Sequence, residues 1–475
     1  MLLLITSIHT FAYDFESDGL YYNILSKEDG TAEVTYEYTD SYGQHRNDAE
    51  GDIEIPSTVI CIIKPGYSQI YHVKSIGDHA FSYCKEVTSV SIPNSVTSIG
   101  KEAFYGYNKL ASVTIPNSVT YIGELAFYGR LMEINVEYDN PSYASIDGIL
   151  YNKDVTTLIQ CPWVKASIEI PNSVTSIGEW ALGDCHNLTS AIIPNSVKSI
   201  GERAFSGCIK LTSVNIPNSV THIGNRAFYY CERLTSMTLP NSVTSIGERT
   251  FYNCTEMKSV TIPNSVTSIG NGAFFNCSGL KSVAIPNSVT SICDSVFSYC
   301  ANLTSMTIPN SVTSIGKEAF YCCGRMTSVT IPNSVTFIGE WAFYNCNGLT
   351  TIYCHAVTPP SANNVLFSNA SFEKCKLYVP AGCLAAYAAA YPWKYFLNIA
   401  EMDFSGIDET AVADGKPQIL VGDGTLTIID KSNEPATIYD MQGRIVYHGT
   451  DRTLSNVSPG LYIMKIGNNT MKFAI

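Results

Sequence analysis

A five-residue string, Ile-Pro-Asn-Ser-Val with Leu replacing Ile once, recurs from Ile92, Ile115, Ile170, Ile193, Ile216, Leu239, Ile262, Ile285, Ile308 and Ile331. Every interval is 23 residues except Ile115 to Ile170, which spans 55, two periods plus 9. A degenerate copy starts at Ile55-Pro56, and Cys354 takes the next expected start after Ile331. A unit this short has too little apolar surface to bury a core alone. Stacked on its own copies, each Leu, Val, Ile, Phe and Cys meets its counterpart above and below.

One unit runs Leu234-Thr-Ser-Met237-Thr-Leu239-Pro240-Asn-Ser-Val243-Thr-Ser-Ile246-Gly247-Glu-Arg-Thr-Phe251-Tyr-Asn-Cys254. The two-residue step from Met237 to Leu239 predicts a strand with both side chains inward. Pro240 lacks an N–H and ends ladder pairing, after which Val243 and Ile246 face inward from a second extended stretch. Gly247 permits a turn, and the three-residue spacing of Phe251 and Cys254 predicts one turn of helix.

Charged residues make up only 15% of the 475-residue chain, below the roughly 25% of an average soluble protein, as expected of a solenoid with an apolar inside and a Ser/Thr coat. The net charge of −13 repels phosphate backbones and anionic lipid, so nucleic acid is excluded as a partner. No apolar run is long enough for a membrane-spanning helix. The 16 cysteines are too dilute for a stapled scaffold; Cys84, Cys185, Cys208, Cys231, Cys254, Cys277, Cys300, Cys323 and Cys346 share one repeat position and read as buried free thiols.

The pattern Leu-x-x-Val-x-Ile-Pro-x-x-Val-x-x-Ile-Gly-x-x-Ala-Phe-x-x-Cys resembles the BspA-type, or treponemal-type, leucine-rich repeat of bacterial surface proteins. The resemblance covers residues 55–354. It implies a repeat solenoid, a right-handed superhelix of parallel β-strands and short helical turns with a 23-residue period. It also implies export and a role in adhesion to host proteins or other cells.

The expected organisation is a signal peptide over residues 1–12, a β-rich cap over 13–54, the solenoid over 55–354, a C-terminal cap over 355–403, and a small β-sandwich over 404–475. Leu2-Leu3-Leu4-Ile5 through Ala12 carries the apolar signal-like stretch. Cys383 to Tyr391 is Ala-rich and reads as helix up to Pro392. In the last region Ile438-Tyr439-Asp440-Met441-Gln442-Gly443-Arg444 and Leu461-Tyr462-Ile463 resemble the C-terminal sorting domain of type IX secretion in Bacteroidetes.

No catalytic constellation is present in the sequence: there is no His-Glu-x-x-His, no Gly-x-Ser-x-Gly, no phosphate loop and no Cys-x-x-Cys, and a self-repeating surface concentrates no reactive set at one point. The expectation is a protein without enzyme activity, cofactor or metal. Two repeated surfaces are candidates for binding. The outward strand position before each Ile-Pro carries Thr114, Asn215, Thr238, Thr261, Thr307, Thr330 and, in the last coil, Tyr353, a neutral ladder expected on the concave face. The same row suits any exposed strand, since Thr favours strands. An aromatic row of Tyr105, Tyr128, Tyr229, Tyr252, Phe275, Tyr321 and Tyr344 could stack on sugars or peptide side chains, or simply pack between coils.

The functional expectation is an exported, monomeric cell-surface protein that binds a host or bacterial surface protein or glycan by contacts summed over repeats. The alternative is a structural spacer without a specific ligand. Specificity is expected where the repetition fails, above all in residues 131–169 and from Ala191 to Asn215.

Overall fold

The structure, a computed structural model, describes residues 10–39, 45–47, 49–106, 109–362, 365–404, 418–422, 425–429, 434–440, 444–451, 453–455, 461–466 and 469–474. Most of the signal-like stretch, and the expected turns at 441–443 and 458–460, lie outside the described residues. The chain divides into two compact units, Met1–Cys231 and Glu232–Ile475. Both are built on a parallel β-solenoid with a 23-residue period.

The repeat motif explains the coil. Each Pro-Asn-Ser-Val is a turn closed by the Val N–H donating to the Pro carbonyl, at 3.0 Å for Val96 to Pro93 and 3.1 Å for Val243 to Pro240. Asn and Ser suit the turn, and Pro takes the place where a strand N–H would be left without a partner. Before the turn runs one strand and after it another, such as Ser236–Thr238 and Ser245–Ile246. These pair in parallel with Ser259–Thr261 and Ser268–Ile269 of the next coil, residue for residue at the 23-residue offset.

The third side of the coil differs from expectation. Instead of a helical turn between Phe251 and Cys254, the backbone alternates in handedness, with Arg249 at φ 50° and Asn253 at φ 60°. Tyr252 and Cys254 donate to the carbonyls of Arg249 and Phe251, closing local turns at 3.2 Å. The amides between them point along the stack: Arg249, Phe251 and Asn253 donate to Asn271, Ala273 and Phe275 at 3.0, 2.8 and 2.8 Å. A regular helix would use all these amides within the segment and leave none for the neighbouring coil. Two left-handed residues here, as in most of the coils, thus give this side a ladder of its own.

Inside, each apolar position stacks on its copy. In the first unit Phe81, Phe104 and Phe127 lie face to face with centroids 5.3 and 5.6 Å apart. In the second, Phe251, Phe274, Phe297, Phe320, Phe343 and Phe367 continue the same way, adjacent centroids 5.2 to 5.6 Å apart. Beside them runs a column of thiols. Cys277, Cys300, Cys323 and Cys346 are fully buried, and each Sγ–H donates to the Phe carbonyl 26 residues earlier at 3.1 to 3.3 Å. All 16 cysteines are free, and only Cys293 and Cys322 are not buried.

At the N-terminal end of the first unit, Leu20–Ser26 and Thr31–Thr35 form an antiparallel pair, and Thr31–Thr35 then pairs in parallel with Tyr67–Ile76. Tyr67–Ile76 continues into the solenoid through Ser98–Ile99 and Tyr121–Ile122. The long repeat interval holds a hairpin, Tyr143–Ile146 with Ile149–Asn152, followed by Thr157–Gln160, which resumes the parallel stack with Ser176–Ile177. Buried Asn140 anchors it: its side-chain amide donates to Pro116 and Val119 carbonyls, and its oxygen accepts from the amides of Ser142 and Tyr143 at 2.8 Å each.

In the second unit the sheet is interrupted once more, between Ser268–Ile269 and Ser291–Ile292. Here Cys293 replaces the glycine that follows the second strand elsewhere. At the equivalent Gly270, Gly316 and Gly339 an added Cβ would come within 2.5 to 2.7 Å of backbone in the preceding coil, so a side chain at this position opposes the close approach on this side, while the Phe274–Phe297 stack and the third-side amide bonds between the same coils persist. Further on, Ser305–Thr307, Ser328–Ile331, Thr351–Cys354, Lys376–Pro380 and Asn398–Met402 form a continuous parallel sheet. Helix Leu384–Ala389 lies within the expected helical stretch. Its Tyr387 hydroxyl donates to the Ala356 carbonyl at 2.7 Å, and buried Trp393 donates to the Pro360 carbonyl at 2.9 Å.

The C-terminal strands form two antiparallel sheets, one of Gln418–Gly422, Thr425–Ile429 and Thr453–Ser455, the other of Ile445–Gly449, Ala436–Asp440, Leu461–Ile466 and Asn469–Ala474. Leu426 and Ile428 of the first pack with Ala436, Ile438, Tyr462, Met464 and Ile466 of the second, the core of a small sandwich. Among the described residues no helix is long and apolar enough to cross a membrane.

Candidate functional site

The surface hydroxyls fall into two populations. One is structural. Ser265 donates to the Val243 carbonyl at 2.7 Å, and Ser219 and Ser334 make the same bond 22 residues back at 2.7 and 2.6 Å. Thr267, Thr313 and Thr336 donate to carbonyls 23 residues back at 3.3 Å, as do Thr304, Thr327 and Thr350 from the start of the other strand at 3.2 to 3.4 Å. These hydroxyls are aligned by stacking, and each satisfies a carbonyl of the coil before it.

The other population is the ladder in front of each Ile-Pro. Thr114, Asn215, Thr238, Thr261 and Thr307 are exposed, and Thr330 and Tyr353 are half-buried. Among the described residues, the hydroxyls of Thr114, Thr238, Thr261, Thr307 and Thr330 make none of the inter-coil bonds just described. Strand alternation requires this orientation: Met237 and Leu239, Met306 and Ile308 flank the Thr positions and are buried.

The ladder is not continuous. Thr238 and Thr261 are register partners. Thr307, Thr330 and Tyr353 form a second run in one sheet. Between the two runs, residues 281–284 are not in a strand, in the coil that carries Cys293. In the first unit Thr114 pairs with Asn135, while Asn215 follows Ser213–Val214 in a different sheet. The second run extends further than the sequence pattern indicated. Tyr378 is the register partner of Tyr353, their rings stack at 5.3 Å and 8°, and Lys376 Nζ lies 4.8 Å from the Tyr378 centroid. The offset of 25 rather than 23 residues hid this pair; the strand Leu377-Tyr378-Val379 was its signal.

The aromatic row is half-buried throughout, and its rings pack on one another between coils. Tyr252 and Phe275 stack at 4.4 Å and 2°, and Tyr321 and Tyr344 at 6.1 Å and 7°. Each ring is thus partly covered by its neighbour in the stack and partly open to solvent.

Burial shapes the thiol chemistry. It raises the Cys300 thiol to about 12 and pushes Cys208 and Cys277 well above the usual thiol range, so these groups stay neutral and unreactive at physiological pH. Among the described residues no group of three or more His, Cys, Asp or Glu side chains could hold a metal ion.

No curated protein matches the chain. Among solved structures, a leucine rich cell surface protein from Faecalibacterium prausnitzii is 30% identical, covering 72% of this chain and 94% of that one at a TM-score of 0.45. A leucine-rich repeat protein from Bacteroides ovatus is 25% identical, covering 82% and 100% at a TM-score of 0.48. The family described as BspA type Leucine rich repeat region matches in 6 copies over residues 70–154, 160–281 and 268–379, more than half of the chain. With the coil geometry above, that match places the chain in the BspA-type leucine-rich repeat family.

Proposed function

We propose that the protein is exported to the cell surface and mediates adhesion or protein–protein interaction through the outward strand ladder. The observation that carries this reading is the run Thr307, Thr330, Tyr353 and Tyr378, in register on one sheet. Its Thr hydroxyls are not spent on the coil, unlike those of the neighbouring Ser and Thr columns. A partner protein or glycan laid along such a row gains many small contacts that sum over repeats. The signal-like start and the C-terminal resemblance to a sorting domain support export, and a column of shielded thiols tolerates an oxidising exterior.

The full-length protein should bind immobilised extracellular-matrix proteins, mucin or neighbouring bacterial cells saturably, measured by biolayer interferometry and cell pull-down. A spacer role is the second reading, favoured by the large share of hydroxyls used for inter-coil bonds. Abundant, lattice-forming protein in cell-wall fractions, with no saturable binding, would establish that reading instead.

A further inference from the structure

We infer that the interrupted stretch of the first unit holds a separate carbohydrate-binding cleft, shaped for the terminal pyranose of a neutral glycan. The cavity measures about 350 Å³ and is lined from coils on both sides of the long repeat interval. Tyr105 and Tyr128 form one wall, stacked at 5.2 Å and 10°, with Tyr83 edge-on to Tyr105 at 5.5 Å. Gly106 and Gly129 follow these rings, and the Gly106 carbonyl lies where a Cβ on Gly129 would sit, so the floor beneath the rings is bare backbone.

The opposite wall comes from the interruption itself. Trp163 donates its indole N–H to the Arg130 carbonyl at 2.6 Å, and the Arg130 guanidinium lies 5.4 Å from the Trp163 centroid. Gln160 adds an amide at the rim, and His186 Nε2 lies 3.6 Å from Asp184 Oδ1. Donors and acceptors of both signs therefore surround a wall of aromatic rings.

This combination selects among ligand chemistries. An extended peptide needs free backbone to pair with, yet the amides here are taken: Tyr83 donates to Tyr105, Gly106 to Tyr128 and Asp184 to Ser206, at 2.7, 2.8 and 2.7 Å. Recognition falls to aromatic rings and side-chain heads. A bare cation meets the Arg130 guanidinium, and a strongly anionic group meets Asp184. A neutral pyranose presents an apolar C–H face for the tyrosines and a rim of hydroxyls for Gln160, Asp184 and His186. The volume stands at the low end of the roughly 300–1,000 Å³ of small-ligand sites, room for one or two sugar rings.

Saturation-transfer-difference NMR on the full-length protein with methyl glycosides of galactose, glucose, mannose and N-acetylglucosamine tests the cleft. The expected result is saturation of the C–H protons on one ring face of at least one glycoside, with affinity lowered roughly tenfold by Tyr105→Ala and by Trp163→Ala. Thermal melts of both variants show whether the fold survives; half-exposed Tyr105 is the substitution that leaves it intact. Glu256→Gln, at an exposed position of the second unit outside both the cleft and the ladder, should leave sugar binding unchanged. The inference is overturned if no glycoside is saturated, if binding survives both aromatic substitutions, or if only peptides occupy the cleft. Matrix binding through the ladder is independent of all three outcomes, and is read on the same variants.

Discussion

At the scale of the residue, stability rests on how near one coil lies to the next. A Cβ added to Gly339 would sit 2.5 Å from the Lys317 amide, whereas one on Gly324 meets nothing within 4 Å. Gly339→Ala should therefore cost roughly 1–3 kcal/mol in urea denaturation, and Gly324→Ala almost nothing. The apolar spacing made the inward residues legible, and Val243, Ile246, Phe251 and Cys254 are all buried. Which hydroxyls serve the coil was not legible, because their acceptors lie 22 or 23 residues away and nothing in the local pattern separates Ser265 or Thr267 from Thr261. Ser265→Ala is expected to destabilise by about 1 kcal/mol, while Thr261→Ser changes stability by less than about 0.5.

At the scale of the element, the thiol column makes stability depend on pH in a fixed direction. Cys300 moves from the ordinary 9.0 to about 12 because burial disfavours the thiolate. Below pH 9 both folded and unfolded chains hold the proton, so the stabilising contribution is complete. As pH rises from about 9 toward 12 the unfolded chain loses protons that the folded chain keeps, and that contribution is progressively lost. Midpoints of urea denaturation should fall steeply over this window, and less so when Cys300 is replaced by Ala. Under native conditions at neutral pH a thiol reagent should modify Cys293 and Cys322 and spare the buried cysteines until denaturant is added. The helical turn read from Phe251 and Cys254 failed for a related reason. Three-residue spacing marks two inward residues on a turn of either kind, and only the inter-coil amide bonds, which require left-handed Arg249 and Asn253, distinguish them.

At the scale of the whole molecule, repetition explains the fold and conceals the site. The parallel stacking, the period and the C-terminal sandwich were legible from apolar spacing and turn residues, which recur in every copy. Differences between copies carry the remaining information: the Asn140 hairpin, Cys293 in place of glycine, and the Tyr353–Tyr378 stack each depend on residues that occur once. The central claim is that the ladder, rather than the structural hydroxyl columns, makes the binding surface. Its most direct test compares full-length wild type with the combined variant Thr307→Lys, Thr330→Lys and Tyr353→Ala for saturable binding to matrix protein, mucin or cells, with Thr313→Lys as a control elsewhere on the coil. The ladder variant should keep its circular dichroism and lose binding by roughly tenfold or more while the control retains it. Equal binding by wild type and ladder variant, or loss in the control alone, would contradict that claim.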